Sequence, residues 1–440
     1  MFPVLSVSMS CLAKPRVLIV APNVSARFGG EAILPLNYFR LLTRRGYVVH
    51  LLAHERNRQE LQTLAEFDPA RVHFIPDTRW HRLALRAFSG TVLLSTMMTA
   101  LNEVFQSRVI ARLVRDREID LIHQTTPVSP AIPNRLHRFG LPLVIGPMNG
   151  AIDYPPDYHG GGGAARRRVK DAARFGLRMM NHLMRGKLNA SLLLVANERT
   201  RAALPDPNHP RIRMLVENGV DLDRWQSPPS MRQATGEGAG QLRLVFLGRL
   251  VDWKAVDITL EAVALARASG AKVTLDVIGD GPERAALVSL AQELHLGDHV
   301  RFHGFVPQER CAAVIGQADA LVLNSLCECG GAVVLEAMAM GLPVVASAWG
   351  GPLDYLDERS GILVDPSPRA SFPGRLAEAF AKLAGDPDRR RRMGAEGQRV
   401  VRERFDWQAK IDQIIVYYHE ALSVAKPQPS RTVPASGKTS

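Results

Sequence analysis

The chain has few cysteines and no long uncharged run. Four cysteines occur among 440 residues, at Cys11, Cys311, Cys327 and Cys329. Their spacing is not that of a zinc site or a disulfide framework, so we expect reduced thiols and no bound metal. The longest uncharged stretch, residues 87–102, is shorter than the roughly 18 residues that a membrane-spanning helix needs. Residues 1–13 lack a basic region, which predicts that no signal peptide is present and that the protein is cytoplasmic.

The composition is that of a globular protein, with 46% hydrophobic and 22% charged residues. A chain of 440 residues is too long for one ordinary core, which favours two domains. The net charge of +12 suits nucleic acid, an anionic membrane or a phosphorylated substrate, and charge alone does not choose among them. No aromatic and basic stacking platform is visible, so a nucleic-acid-binding protein is only a remote alternative.

Apolar strands alternate with helical segments in two series, which predicts α/β domains with parallel sheets. The first series begins with a strand at residues 16–20 and the second with a strand at 242–247. We place the first domain at residues 14–217 and the second at 218–404, followed by a last helix that ends near residue 422. Residues 427–440 are rich in Pro, Ser and Thr, which predicts a disordered tail.

Glu328 and Glu336 are the most informative pair, with seven residues between them. A buried strand precedes Glu328, and a helix that contains Glu336 runs up to Gly341. In open α/β sheets, ligands bind in the crevice at the carboxyl ends of the strands, where helix N-termini favour phosphate. Carboxylates on such a crevice accept hydrogen bonds from sugar hydroxyls. The pair therefore predicts a nucleotide-sugar site.

Three glycine-containing turns follow strands in the same half. Gly248 and Arg249 come directly after a strand, and Lys254 follows shortly, so both cations could hold phosphate or could belong to a solvated loop. Gly279 and Gly281 form a G-x-G turn that could line a donor pocket or serve only as a turn; Arg284 stands where a dinucleotide fingerprint needs its third glycine.

Val306 follows Gly304 after a further strand, and backbone groups there could border a nucleotide base or be purely structural. In the first half, Gly29 and Gly30 lie in the first strand-to-helix loop, where their amides could meet a phosphate or an acceptor, or could form a plain turn. His123 follows a strand at the expected cleft, and its functional and structural interpretations both stay open.

Residues 166–187 combine many basic side chains with interleaved apolar ones. Such a helix could lie on an anionic membrane surface, or its apolar stripe could pack on its own domain. The uncharged stretch 87–102 could be a second apolar element that faces an acceptor lipid.

The glutamate pair, Gly248-Arg249-Leu250 with Lys254, Asn218-Gly-Val-Asp221 and the segment 341–346 together resemble glycosyltransferase family 4. The resemblance covers residues 14–422 and is strongest over 218–366. It implies the GT-B fold, with two Rossmann-like parallel-sheet domains facing a central cleft and the last helix, 405–422, crossing back onto the first domain. The stretch from Gly146 to Gly150 resembles a bacterial subgroup linked to surface polysaccharides.

The resemblance also implies roles for single residues. Arg249 and Lys254 would bind the donor diphosphate, Glu336 the ribose, and Glu328 the transferred sugar. With His123, the residues Glu328, Arg249 and Lys254 form the predicted catalytic set. The remaining predicted donor-binding residues are Gly29, Gly30, Gly248, Gly279, Gly281, Val306, Gly330 and Gly331. No metal or cofactor would be needed.

Two positions depart from the family pattern. The glycine usual after the diphosphate lysine is Ala255 here, and many members carry a histidine at the position of Thr125. The expected activity is retaining transfer of a hexose from a UDP- or GDP-sugar to a lipid-linked or saccharide acceptor, in cell-surface polysaccharide synthesis. A peripheral position of the protein on the inner face of the membrane is a further expectation. A nucleotide-sugar epimerase on the same fold is the alternative.

Overall fold

The structure is a computed structural model that describes residues 13–27, 30–78, 92–117, 119–158, 164–225 and 241–424. Thirteen strands are present in these residues. They are β1 (Val17–Val20), β2 (Val49–His54), β3 (Val72–Ile75), β4 (Leu121–Gln124), β5 (Leu143–Met148), β6 (Leu192–Val195), β7 (Ile212–Met214), β8 (Gln241–Leu247), β9 (Lys272–Ile278), β10 (Val300–Gly304), β11 (Ala320–Leu323), β12 (Val344–Ser347) and β13 (Gly361–Val364).

Helices connect these strands and cover both sheets. The α-helices in the described residues are α1 (Leu34–Arg44), α2 (Arg58–Leu61), α3 (Val92–Asp116), α4 (Ala164–Met184), α5 (Glu198–Ala202), α6 (Val256–Ala268), α7 (Arg284–Glu293), α8 (Gln308–Ile315), α9 (Ala332–Ala339), α10 (Phe372–Gly385), α11 (Pro387–Arg404) and α12 (Trp407–Val424). Within the described part of the chain, none of these helices combines the length and apolarity needed to cross a bilayer.

The first sheet has seven strands in the order β3-β2-β1-β4-β5-β6-β7, and every pairing is parallel. All four residues of β1 are buried because helices cover both faces of the sheet. The chain leaves β1 in one direction and returns to its other side at β4. This reversal of strand order creates a crevice at the carboxyl ends of β1 and β4, where ligands bind in open α/β sheets.

The second sheet has six parallel strands in the order β10-β9-β8-β11-β12-β13. Its strand order reverses between β8 and β11. The equivalent crevice therefore lies at the carboxyl ends of these two strands, beside Gly248 and Ser325. Each sheet thus provides one reversal point for a ligand.

The last helix packs on the first sheet rather than the second. Trp407, Ile411, Ile414 and Tyr418 follow one face of α12 and belong to the buried cluster that contains Val17 and its neighbours in the first sheet. The apolar positions recur at helical spacing, which makes this face continuous. The chain segment that follows the second sheet therefore returns to the first sheet and packs on it as α12.

The two connections between the sheets run side by side. Val220 on the outgoing connection pairs with Asp406 on the returning one, through Val220 N to Phe405 O at 2.9 Å and Trp407 N to Val220 O at 3.2 Å. Lys410 of α12 donates to the carbonyl of Asn218 at 2.8 Å and also to that of Val216. The described connection at 218–221 is therefore tied to the start of α12.

The expected strands in both series are confirmed, with ends that differ by a few residues. The sequence analysis missed β3, β7 and β13. All three are edge strands, and they are only partly buried, so they lack the continuous apolar run of a central strand. The expected tail 427–440 lies outside the described residues, as do residues 226–240.

Candidate functional site at the cleft between the sheets

A cleft of about 780 Å³ lies between the two domains and receives residues from both. From the first domain, its walls include Arg27, Gly30, Glu31, Leu34, Val128, Asn149 and Glu217, and from the domain boundary Asn218. From the second domain they include Gly248, Arg249, Lys254, Gly279, Asp280, Phe305, Val306, Glu328, Gly330, Gly331 and Glu336. Its volume suits a ligand of nucleotide size, for which pockets of roughly 300–1,000 Å³ are usual.

The turn after β8 places Gly248 and Arg249 in the cleft because the end of β9 packs tightly against it. Gly279 has a φ of +141°, and a Cβ there would lie 1.8 Å from the Gly248 carbonyl oxygen. A side chain at Gly279 would therefore force the two strand ends apart. Gly281 is different: it does not line the cleft, and its Cβ would meet the Leu250 carbonyl at 2.1 Å. The geometry therefore supports the structural interpretation of Gly281 and not the donor-binding one.

Lys254 enters the cleft from a short 3₁₀ turn that precedes α6. Ala255 follows with a φ of +51°, in the left-handed region where glycine is favoured. The conformation explains why a glycine is usual at this position, and here alanine adopts it. The Ala255 carbonyl accepts from the Asn324 side chain at 2.8 Å, and Thr259 holds that side chain at 2.7 Å. These buried contacts set the start of α6.

Glu328 and Lys254 form an ion pair within the cleft, and both side chains are largely buried. The pair brings together a predicted sugar-binding carboxylate and a predicted phosphate-binding cation. Arg249 lies beside them with its side chain exposed to the cleft. The cleft therefore combines two cations with a carboxylate that is paired with one of them.

Glu336 lies one helical turn inside α9, in the cleft wall. Desolvation by burial raises the pKa of this carboxyl group to about 7, and the positive charge of Arg224 opposes the shift. Burial disfavours the charged form because the interior solvates a carboxylate poorly. Glu336 is therefore poised to change protonation near neutral pH.

The loop before α9 is held by side chains of the first domain. Asn149 Nδ2 donates to the Cys329 carbonyl at 2.7 Å and to Glu217 Oε1 at 2.8 Å. Glu217 Oε1 also accepts from Asn218 at 2.9 Å. A Cβ at Gly330 would lie 2.3 Å from both Glu217 Oε1 and Asn218 Nδ2, so a side chain there would displace these two groups from their hydrogen bonds.

Asn149, Glu217 and Asn218 are cleft residues that the sequence analysis did not assign to the site. Asn149 stands in the glycine-rich stretch that was noted, and Asn218 in the family-like segment at the domain boundary. The sequence motifs around Asn149 and Asn218 could therefore have identified these two residues. Glu217 carried no such signal, because a single glutamate at the end of a strand is usually a solvated residue.

His123 does not face the cleft, and the expectation of a cleft position is wrong. Its side chain is fully buried, at 0% exposure. Nδ1 lies 2.7 Å from the Tyr418 hydroxyl and Nε2 lies 2.7 Å from the Gly146 carbonyl oxygen, so both ring nitrogens are occupied. Burial lowers the pKa of His123 to about 4, although the bond to Gly146 opposes this. The geometry supports the structural interpretation, in which a neutral imidazole ties β4 to β5 and α12.

The other predicted site residues have mixed outcomes. Gly30 lines the cleft, whereas Gly29 lies outside the described residues. Val306 lines the cleft next to Phe305, an exposed aromatic ring. The described residues contain no group of three or more His, Cys, Asp or Glu side chains placed to hold a metal, and metal independence stays a prediction.

Comparisons with known proteins assign the fold and one domain. Residues 229–400 match the family model described as "Glycosyl transferases group 1". The chain is 32% identical over 226 residues to a "D-inositol 3-phosphate glycosyltransferase" of Segniliparus rotundus, an alignment that covers 50% of this chain and 49% of the relative. The chain thus spans about half the length of the curated relatives that it matches.

Two solved structures cover nearly the whole chain. Anabaena Alr3699/HepE, solved in complex with UDP, has a TM-score of 0.63 and 18% identity over 92% of this chain and 99% of that one. Sucrose-phosphate synthase from Thermosynechococcus elongatus has a TM-score of 0.65 and 20% identity over 93% of this chain and 100% of that one. At this identity the likeness establishes the fold, which is GT-B as expected.

Replacing His123 separates a structural role from a catalytic one. We expect His123→Gln to lower the free energy of unfolding by about 1–3 kcal/mol, because it leaves buried partners unsatisfied. Diphosphate affinity, measured by calorimetry, should be unchanged. Tyr418→Phe removes one of the same hydrogen bonds and serves as the matched control, with a loss of about 1 kcal/mol. A His123→Gln variant with unchanged stability and lost turnover would instead indicate that His123 takes part in catalysis.

Proposed function

We propose that the protein is a retaining glycosyltransferase that moves a hexose from a UDP- or GDP-sugar to a hydroxyl of a lipid-linked or saccharide acceptor, in cell-surface polysaccharide synthesis. The observation that carries the proposal is the convergence of Arg249, Lys254, Glu328 and Glu336 on one cleft between two GT-B domains. The transferase family model over residues 229–400 and the UDP bound in Anabaena Alr3699/HepE support a nucleotide-sugar donor. Neither finding favours the epimerase alternative.

The cations account for binding and departure of the diphosphate. Arg249 offers a planar fork of N–H donors and Lys254 a compact charge, which together match two adjacent phosphates. The N-terminus of α9 adds partial positive charge beside Gly331. Because such groups stabilise negative charge on the leaving group, the reaction needs no metal in this proposal.

The ion pair between Lys254 and Glu328 suggests an exchange of partners. An incoming diphosphate competes for the Lys254 ammonium and releases Glu328 to accept hydroxyls of the transferred sugar. The bond from the anomeric carbon to the phosphate oxygen breaks, and the acceptor oxygen bonds to the same face of that carbon. The acceptor proton passes to the departing phosphate oxygen, so no protein nucleophile is required.

Glu336 would accept the two ribose hydroxyls of the donor. This role requires the carboxylate, because a protonated carboxyl group loses one of its acceptor positions. Ligand hydroxyls that donate to the carboxylate also stabilise its charged form and lower its pKa. Donor binding and Glu336 ionisation are therefore linked in this proposal.

Removal of either cation tests the site. We expect Arg249→Ala and Lys254→Ala each to reduce turnover roughly 100-fold or more, since each removes stabilisation of the departing diphosphate. Lys272→Ala removes an exposed lysine at the start of β9, outside the cleft walls, and should keep normal turnover. Thermal stabilisation by UDP, GDP and ADP, with NAD as a control, identifies the donor base. Near-normal rates in both cleft variants would contradict the proposal.

The pKa of Glu336 predicts a pH dependence of donor binding. With a pKa of about 7 the group gains its proton in the free protein as pH drops from 8 to about 6, so affinity for UDP-glucose or GDP-mannose should fall over this range. These donors carry no phosphate group that titrates in this range. Glu336→Gln should bind more weakly with a flat profile, measured by calorimetry. An unchanged slope in that variant would exclude Glu336 as the titrating group.

A membrane surface is the second partner that we propose, through α4. Phe175, Met179 and Leu183 recur at i, i+4 and i+8, and their side chains are 68%, 55% and 76% exposed. Arg178 is exposed on the same helix, and Arg185 is exposed directly after its end. These three side chains therefore do not pack on the domain, whereas Met184 of the same helix is buried. Basic side chains accompany the exposed ones, as on helices that lie in an anionic interface.

The expected basic surface 166–187 is smaller than the sequence indicated. Lys187 is buried and donates to the Ile132 carbonyl, and Arg174 pairs with Asp153 at 2.8 Å. The side chains at 166 and 167 are not among those described, and neither are those of the apolar stretch 87–102. The proposal accordingly rests on the C-terminal half of α4.

Vesicle binding tests this surface. We expect the protein to co-sediment at low salt with vesicles that contain phosphatidylglycerol. A Phe175→Ser, Leu183→Ser double variant should lose this binding, because it removes apolar surface that α4 would bury in the membrane. Leu265→Ser changes a leucine that is 48% exposed on α6 and is the matched control. Equal loss in the control, or equal binding to neutral vesicles, would contradict the anionic-membrane proposal.

A further inference from the structure

The segment that follows β5 crosses from the first domain onto the second. Residues 151–158, which we call the strap, lie between β5 and α4 in the chain. Tyr158 is 8% exposed and belongs to the buried cluster of the second domain, and Tyr154 packs against that cluster. The Tyr158 hydroxyl donates to the Pro366 carbonyl at 3.0 Å. Apolar packing and a buried hydrogen bond therefore dock the strap on the second domain.

The strap also contacts the turn that follows β12. The indole Nε1 of Trp349 donates to the Asp153 carbonyl at 2.7 Å. Gly350 comes next with a φ of +74°, and a Cβ there would lie 2.4 Å from Ile152 Cδ1. Two successive residues of the turn thus meet two successive residues of the strap, one pair through a hydrogen bond and the other through close packing.

The same turn, residues 349–351, contacts the loop that carries Glu328. The Gly351 amide donates to the Glu328 carbonyl at 2.7 Å. A Cβ at Gly350 would lie 2.3 Å from that carbonyl oxygen, and a Cβ at Gly351 would lie 2.2 Å from the Gly330 carbonyl oxygen. The turn is therefore packed between the strap and the Glu328 loop, with no space for a side chain at either glycine.

The Glu328 loop is held by different domains along its length. At its start, the Leu326 amide donates at 2.8 Å to a carbonyl of the second domain. At its end, the Cys329 carbonyl accepts from Asn149 of the first domain at 2.7 Å. Glu328 lies between these points, and its carbonyl is held by the turn that the strap contacts. The first domain thus reaches the backbone of this loop twice, once directly and once through the turn.

Building on the proposed transferase function, we propose that Trp349 is a positioning residue for the transferred sugar. Its indole N–H ties the turn to the strap, the turn holds the Glu328 carbonyl, and the Glu328 carboxylate accepts hydroxyls of the sugar. Trp349 is not among the described residues that line the cleft, so it acts through Glu328 and not on the substrate. Such an effect matters because a displacement of about 1 Å near a reacting group is enough to lower a rate strongly.

The variant Trp349→Phe tests this role, because it keeps an aromatic ring and removes the N–H donor. Calorimetry compares each sugar nucleotide with its diphosphate, UDP-glucose with UDP and GDP-mannose with GDP. We expect affinity for the diphosphates to stay within about twofold of wild type, since Arg249 and Lys254 are unchanged. Affinity for the sugar nucleotide should fall about fivefold, because the loss of one hydrogen bond is worth less than a tenfold change.

Hydrogen exchange reports on the loop directly, whichever sugar the donor carries. We expect amides 326–331 and the Gly351 amide to exchange about fivefold faster in Trp349→Phe, because local opening no longer breaks the bond to the strap. Gly350→Ala should raise these rates further, since its Cβ would displace the Glu328 carbonyl.

Tyr158→Phe is the matched control. It removes another hydrogen bond of the same strap, and the partner of that bond, the Pro366 carbonyl, lies outside the Glu328 loop. Exchange in that loop and affinity for sugar nucleotides should both stay at the wild-type level in this variant. Thermal unfolding shows that each variant is folded before its affinity is compared.

The outcomes separate this role from the proposed function. Wild-type exchange rates in Trp349→Phe, equal effects of Trp349→Phe and Tyr158→Phe, or equal changes in affinity for diphosphates and sugar nucleotides would overturn the positioning role. Normal binding of UDP or GDP in the same experiments leaves the transferase proposal intact. Failure of UDP, GDP and ADP to bind the wild-type protein would overturn the proposed function and this role with it.

Discussion

The contact on which the cleft depends is made by one amide group. Asn149, from the first domain, donates to the Cys329 carbonyl and to the Glu217 carboxylate. These bonds hold the loop that carries Glu328 against the first domain, and a side chain at Gly330 would displace the same carboxylate. Buried hydrogen bonds to charged groups are costly to break, so the position of the loop is strongly set.

The two sheets bring different polar groups to the region around that loop. The reversal point of the second sheet brings Arg249 and Lys254 to the cleft, and the reversal point of the first sheet brings carboxylates and amides around Thr126.

Several site residues could be predicted because their backbone demands are local. Gly279 and Gly331 occupy positive-φ positions at strand and helix ends. Such positions can be predicted from the order of apolar runs and glycines in the sequence. His123 was misjudged because a strand end does not reveal which way its side chain points. The bonds to Gly146 and Tyr418 join residues that are far apart in the chain, and Tyr418 is 295 positions away.

By itself the sequence determined the two α/β series, the central strands, and the cation and carboxylate pairs of the second domain, because apolar periodicity and turn residues act over short distances. Only the tertiary structure decided that α12 closes the first sheet and that Asn149 and Glu217 hold the Glu328 loop. These features depend on packing between distant segments, which no local pattern records.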